Sequence, residues 1–265
     1  MQEEVIVCDL GLVPYEPAWR LQKLIQAELV RAKRDDPPRR LPHVMLLVEH
    51  PPVYTLGKSG DASHLLISET MLQQRGASFY RIDRGGDITF HGPGQLVGYP
   101  ILDLDRLSPD IHRYLRNLEE VVIATCESFG LHAGRVEGKT GVWIESSASE
   151  SERKICAMGI RCSRWVTMHG FALNVHTDLD FFSHIVPCGI QNRGVTSLSA
   201  EAGESVRIPE VAAILLQEFA RVFEVQTTNL SGETALEFIE GFVTEETPDS
   251  KSLPDLLLAG NLTGG

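Results

Sequence analysis

Two strand-like runs flank the stretch Arg84-Gly85-Gly86-Asp87-Ile88-Thr89-Phe90-His91-Gly92-Pro93-Gly94-Gln95, in which four of twelve residues are glycine and one is proline. Glycine admits positive φ and lets a backbone come close to whatever lies beside it. Ordering so flexible a segment costs conformational entropy, and a plain connection needs only two or three such residues. The stretch therefore reads as the wall of a site, carrying arginine, threonine, histidine and glutamine. An elaborate hairpin is the other reading, because glycine also marks sharp bends between strands.

Around it, apolar periodicity alternates between strand and helix. Residues 5–12, 43–49, 53–57, 77–83 and 95–102 read as strands, and 43–49 is nearly continuous in apolar residues, as in a strand buried on both faces. Helical spacing runs over 17–34 through Ala18, Leu21, Ile25, Leu29 and Ala32. A short helix fits 68–75. A longer one starts at Ser108-Pro109-Asp110, with Ser108 as the N-cap and Pro109 in the first helical position, and ends near Gly130. Strands at 140–145 and 154–162 form a hairpin across the polar turn 146–152, 170–176 is a further strand, and 209–225 is a helix.

Strands and helices intermingle without a strict strand–helix–strand rhythm, so the expected class is mixed α/β (α+β), one mixed sheet with flanking helices. No glycine-rich turn joins a strand to a long helix, which excludes dinucleotide-binding and P-loop architectures. Residues 1–225 are expected to form the main domain. Residues 226–265 hold seven acidic residues and one lysine, and are expected to be an acidic appendage, partly ordered at most, with one amphipathic turn at Phe238, Ile239, Phe242 and Val243.

The net charge of −12 disfavours nucleic-acid binding. No apolar run reaches the length that spans a bilayer, and the acidic start does not resemble a signal peptide. A cytoplasmic protein that binds no membrane is expected. Five cysteines without a CxxC pair suggest neither disulfides nor zinc, and no metal site is expected. Residues 20–40 carry seven basic and three acidic side chains. They read either as a solvated helix face or as a docking patch for an acidic partner.

Two further segments bear chemistry. Lys154 heads an apolar strand; a desolvated lysine can exchange protons near neutral pH, while a hairpin-edge lysine needs no function. Cys188, between Pro187 and Gly189, sits in a turn setting that exposes a thiol; beside a base it becomes a nucleophile, and otherwise it is a small residue in a tight turn. His50 and His169 are weaker candidates. No histidine follows Cys188, which disfavours a papain-like hydrolase.

Taken together, these segments resemble the LipB-type octanoyltransferases, the lipoyl(octanoyl) transferases. The pattern Arg-Gly-Gly-x-x-Thr-aromatic-His-x-x-Gly-Gln-x-x-x-Tyr is read from Arg84 to Tyr99 without a mismatch, and the likeness extends from about residue 10 to 200 through Glu49-His50-Pro51, Lys154-Ile155 and Pro187-Cys188-Gly189. The resemblance implies the fold of the biotin and lipoate ligase catalytic domains. It implies transfer of an octanoyl group from octanoyl-acyl carrier protein to a lysine of lipoyl domains, those of the 2-oxoacid dehydrogenase complexes and the glycine cleavage H protein, without cofactor or ATP; separately from the resemblance, a monomer is expected. Cys188 then matches the acyl-thioester nucleophile and Lys154 the lysine that lowers its pKa and exchanges protons. Arg84, Gly85, Gly86, Asp87, Ile88, Thr89, Phe90 and His91, with Ala157, Met158, Gly159, Gly170, Phe171 and Ala172, match the acyl pocket, and Leu173 is a further candidate lining residue. The competing functions are an ATP-dependent lipoate or biotin ligase on the same fold, and a non-catalytic module that binds lipoyl domains or carrier protein.

Overall fold

The structure is a computed structural model and describes residues 2–144, 152–186 and 194–243. Eleven strands and six α-helices lie among these residues: β1 (Glu4–Leu12), α1 (Tyr15–Ala32), β2 (His43–Glu49), β3 (Val53–Leu56), α2 (Glu69–Gln74), β4 (Ser78–Arg81), β5 (Ile88–His91), β6 (Gln95–Ile101), α3 (Ile111–Ser128), β7 (Ala133–Gly134), β8 (Val142–Ile144), β9 (Arg153–Ser163), β10 (Val166–Asn174), α4 (Leu198–Ala202), α5 (Ile208–Phe223), β11 (Gln226–Ser231) and α6 (Gly232–Phe242). The main sheet has the order β11-β1-β2-β6-β10-β9-β8-β7, and a small sheet has the order β4-β3-β5. In the main sheet β1 pairs in parallel with β2 and β11; β2, β6, β10 and β9 pair antiparallel in turn.

Helices cover both faces of the main sheet, which is why β1 and β2 are apolar at successive positions. Val5, Val7, Met45 and Leu47 face α3 and α5 through Leu118, Val122, Leu215 and Phe219. Ile6, Cys8, Val44 and Leu46 face α1 and α6 through Ala18, Leu21, Ile25, Ala235 and Ile239. The small sheet has its own core of Tyr54, Leu56, Ile88 and Phe90 against Phe182 and Ile185.

Three expectations differ from what is observed. The long helix is capped by Asp110, whose carboxylate accepts from Arg113 N, so Ser108 and Pro109 lie before it. A charged carboxylate at that position satisfies a first-turn N–H and complements the helix dipole. The strand expected at 170–176 begins at Val166, because Thr167, Met168 and His169 pair with Cys162, Arg161 and Ile160; pairing outweighs the low strand propensity of histidine and glycine. At the other end of the chain, residues 226–231 are a strand in register with β1, and α6 buries Ala235, Ile239 and Phe242. Residues 226–243 thus belong to the main sheet and its covering layer. The remainder of the expected appendage, like the turn 146–152 up to Ser151, lies outside the described residues.

Candidate active site

The glycine-rich stretch does not run from one strand to its hairpin partner. Ile88–His91 forms β5 and pairs with β3 in the small sheet, after which Gly92-Pro93-Gly94 turns the chain into β6 of the main sheet. The stretch therefore bridges two sheets, and a cavity of about 400 Å³ lies between them, within the range of small-ligand sites. Gly85 N donates to Ile160 O at 2.9 Å, laying the loop directly on β9. A Cβ on Gly159 would stand 2.8 Å from Gly85 O, so glycine is the residue that lets the two backbones meet here.

Arg84, Gly85, Gly86, Asp87, Ile88, Thr89 and His91 line the cavity on the small-sheet side; Ala157, Met158, Gly159, Gly170, Phe171 and Ala172 line it on the β9 and β10 side; Lys154 lines it too. Phe90 does not. Its ring stacks on Phe181 at 4.6 Å and is buried in the small sheet's core, because strand alternation sends it to the face opposite Thr89 and His91. Leu173 also falls outside the lining, packed in the core under α3 and α5. Cys188 lies outside the described residues.

Lys154 is half-buried, and its Nζ stands 4.6 Å from the centre of the Trp143 ring. Its backbone is held on both sides: Lys154 N donates to Gly194 O and Thr196 N donates to Lys154 O, each at 3.0 Å. Thr196 is fixed in turn. Its hydroxyl donates to Glu201, which also receives Arg153, and its carbonyl accepts from Asn174 Nδ2 at 2.9 Å.

From Asn174 a buried hydrogen-bond chain crosses the cavity floor. Gln95 Nε2 donates to Phe90 O and to Asn174 Oδ1, and Gln95 Oε1 contacts His91 Nδ1 at 2.8 Å. The two carbonyl acceptors, Phe90 O and Thr196 O, fix both amide orientations, so His91 Nδ1 must be the protonated nitrogen. Burial and the neighbouring His50 push His91 down to about 3, so its ring is neutral at neutral pH. His50 is likewise pushed down to about 4 by burial, and lies between Val13 O and the Tyr99 hydroxyl. Arg84 donates to Thr55 O and Oγ1.

At the opposite end from Lys154, His169 Nε2 donates to Asp83 Oδ1 at 2.9 Å. That bond holds the Asp83 carboxyl down at about 2, while burial lowers His169. Among the described residues no cluster fit to hold a metal occurs, and no helix is long and apolar enough to cross a membrane.

Residues 14–220 match the lipoyl protein ligase A/B catalytic domain. The chain is 52% identical over 233 residues to the octanoyltransferase of Christiangramia forsetii, covering 85% of this chain and 98% of that one. The chain belongs to the lipoyl protein ligase A/B catalytic-domain family. It is 50% identical to the octanoyltransferase of Cytophaga hutchinsonii over 88% of this chain and 98% of the relative. A bipartite lipoate protein ligase of Thermoplasma acidophilum shares the fold, with a TM-score of 0.65 at 18% identity over 97% of this chain and 98% of that one. The protein is an acyltransferase of this family.

Within this lipoyl protein ligase A/B domain, several cavity residues carry no chemical signal of their own in the sequence. Tyr15, Gln95, Tyr99, Asn174, Phe182 and Val195 all line the cavity. Gln95 and Tyr99 stand in the Arg84–Tyr99 pattern, but Tyr15, Asn174 and Phe182 come from separate elements that only the fold brings together. The basic residues of 20–40 are largely committed within the molecule: Arg31 to Glu28, Lys33 to Asp103 and Asp105, Arg39 to Asp35 and Glu28, and Arg40 to Glu3.

Proposed function

We propose that this enzyme transfers an octanoyl group from octanoyl-acyl carrier protein to a lysine of a lipoyl domain through a thioester on Cys188, with Lys154 as the proton carrier. The observation that supports this most is an acyl-sized cavity lined by Lys154, in a chain half identical to octanoyltransferases along most of its length. The described chain approaches that cavity on both sides of Cys188. Val186 N donates to His64 O, Phe182 and Val195 line the cavity, and Gly194 O accepts from Lys154 N.

The other cysteines support the choice of thiol. Burial pushes Cys8 and Cys126 up to about 12 and Cys156 higher still, and it raises half-buried Cys162. None of these four is suited to form a thiolate near neutral pH. Among the cavity's other titratable groups, His91 is pushed too low to carry the proton, and burial raises Tyr15 and Tyr99.

The chemistry proceeds in two balanced halves. A Cys188 thiolate, paired with the Lys154 ammonium, attacks the donor thioester carbon. The carbon–sulfur bond to the carrier's phosphopantetheine breaks, and the leaving thiolate takes a proton from Lys154. Neutral Lys154 then accepts a proton from the lysine amine of the lipoyl domain as that amine attacks the acyl-cysteine. The amide forms, the Cys188 thiolate departs, and the Lys154 ammonium is restored. The eight-carbon chain gains about 0.8 kcal/mol for each methylene buried in the cavity. Lipoyl domains in general, those of 2-oxoacid dehydrogenases and the glycine cleavage H protein among them, are the proposed acceptors.

Lys154→Ala is expected to slow both half-reactions by about 100-fold or more and to shift the pH dependence of Cys188 alkylation upward. Alkylation rates equal to wild type across the pH range would remove Lys154 from the mechanism. Transfer from octanoyl-carrier protein is expected without ATP.

A further inference from the structure

We propose that Glu119 is a positioning residue for Lys154: from α3 it holds the short strand against which the end of the lysine side chain lies. This builds on the acyl-transfer reading above, in which Lys154 carries the proton. Glu119 is not among the residues that line the cavity, and it acts through Lys154.

Two neighbours of the Lys154 side chain come from β8 and the turn before it. Trp143 of β8 pairs directly with Lys154 of β9, and its ring centre lies 4.6 Å from Lys154 Nζ. Gly141 approaches the same side chain, since a Cβ added there would stand 3.7 Å from Lys154 Cε. β8 is only Val142–Ile144, and its register against β9 shifts between Val142 and Trp143. Such an irregularity re-aims the side chains of a strand. The seat of the ammonium therefore depends on how the start of β8 is anchored.

The anchor is a carboxylate. Gly141 has a φ of +109°, and a Cβ on it would lie 2.5 Å from Cys156 O, so the turn presses its bare backbone onto β9. Gly141 N donates to Glu119 Oε1 at 3.0 Å. Glu119 Oε2 accepts from Arg116 Nη1 at 2.6 Å and from Arg135 Nε at 3.0 Å. Arg135 is fixed in turn by Arg116 O and Glu120. Glu119 is fully buried. Burying a carboxylate is costly, and for stability alone an apolar side chain of similar volume often serves as well. What an apolar side chain cannot do is accept the Gly141 N–H and fix the turn that leads into Trp143. A proton carrier displaced by about 1 Å can lose up to 100-fold in rate, which gives the buried carboxylate a catalytic use without contact to substrate.

The test measures octanoyl transfer from octanoyl-acyl carrier protein by the full chain. It compares wild type, Glu119→Gln, Glu119→Leu, Lys154→Ala and the double variant Glu119→Gln/Lys154→Ala, each at a temperature where circular dichroism shows it folded. Arg116→Met is the stability control, because it removes an ion-pair partner and leaves the Glu119–Gly141 bond in place. The Glu119 variants are expected to lose about ten-fold or more in kcat with KM for the carrier protein unchanged. In the Lys154→Ala background the same substitution is expected to cost nothing further, because its effect passes through the missing amine. Arg116→Met is expected to lower the thermal midpoint and keep the wild-type kcat. A folded Glu119→Gln with wild-type kcat overturns the proposal, as does an equal loss with and without Lys154, or a loss in Arg116→Met as large as in Glu119→Gln. Wild-type turnover by Lys154→Ala removes the proton carrier itself, and the positioning role falls with it.

Discussion

Single side chains set the protonation pattern of this molecule. Burial holds His43 and His91 down at about 3 and His50 at about 4, against an ordinary value of 6.5. Unfolded, each takes a proton as the pH falls through 6.5; folded, each resists until far lower. The unfolded state binds more protons in that window, so stability is full above 6.5 and is lost as the pH falls toward 4. At pH 5 the loss is about 2 kcal/mol for each histidine. Urea unfolding at pH 7.5 and pH 5 is expected to show a markedly lower midpoint at pH 5; an unchanged midpoint would contradict the buried neutral histidines. These residues also show what a sequence hides. His91 stands in the Arg84–Tyr99 pattern, but its protonated nitrogen is fixed by Gln95, Asn174 and Thr196, contributed by separate strands and by the segment before α4.

Among the elements, the cavity exists because β6, β9 and β10 allow close approach at Gly98, Gly159 and Gly170. Gly170 of β10 is among the tightest: a Cβ there would lie 2.2 Å from Gly98 O of β6 and 2.7 Å from Pro100 Cδ. Neither atom is the end of a flexible side chain, so Gly170→Ala is expected to cost about 3 kcal/mol and to reduce acyl transfer. Gly241→Ala on α6, where a Cβ meets nothing within 4 Å, is expected to be neutral or to stabilise by about 0.5–1 kcal/mol. Thermal unfolding of the two variants checks the contrast, and an unaltered Gly170→Ala protein would contradict the packing. Helical periodicity located α1, α3 and α5 to within two residues at most termini, because their apolar stripes meet a flat sheet. The glycine-rich stretch was harder to read. Glycine and proline reported close approach and a turn, but not that the strand between them pairs in another sheet.

For the whole molecule, the main sheet closes on β11, which lies beside β1, with α6 folded over the face that α1 covers. Composition concealed this, since Gln226–Ser231 is polar and lies at the sheet edge, mostly exposed, where strands carry little apolar signal. Truncation after Val225 would strip α6's Ala235, Ile239 and Phe242 from the core and expose the β1 edge. It is expected to lower stability by several kcal/mol and promote aggregation; a truncated protein with unchanged thermal midpoint would contradict the assignment of 226–243 to the fold. The family and most of the residues that line the cavity were legible because they rest on short contiguous motifs. The cavity floor was not, because it is assembled across β5, β6, β10 and the segment before α4.

In the proposed mechanism, acyl transfer passes through a thioester on Cys188, with Lys154 as proton carrier. Intact-protein mass spectrometry after incubation with octanoyl-acyl carrier protein tests it most directly. The expected result is a gain of one octanoyl group, mapped to Cys188, removed by hydroxylamine, discharged on addition of a lipoyl domain and absent from Cys188→Ser. Turnover by Cys188→Ser at the wild-type rate, or an adduct that a lipoyl domain does not discharge, would contradict it.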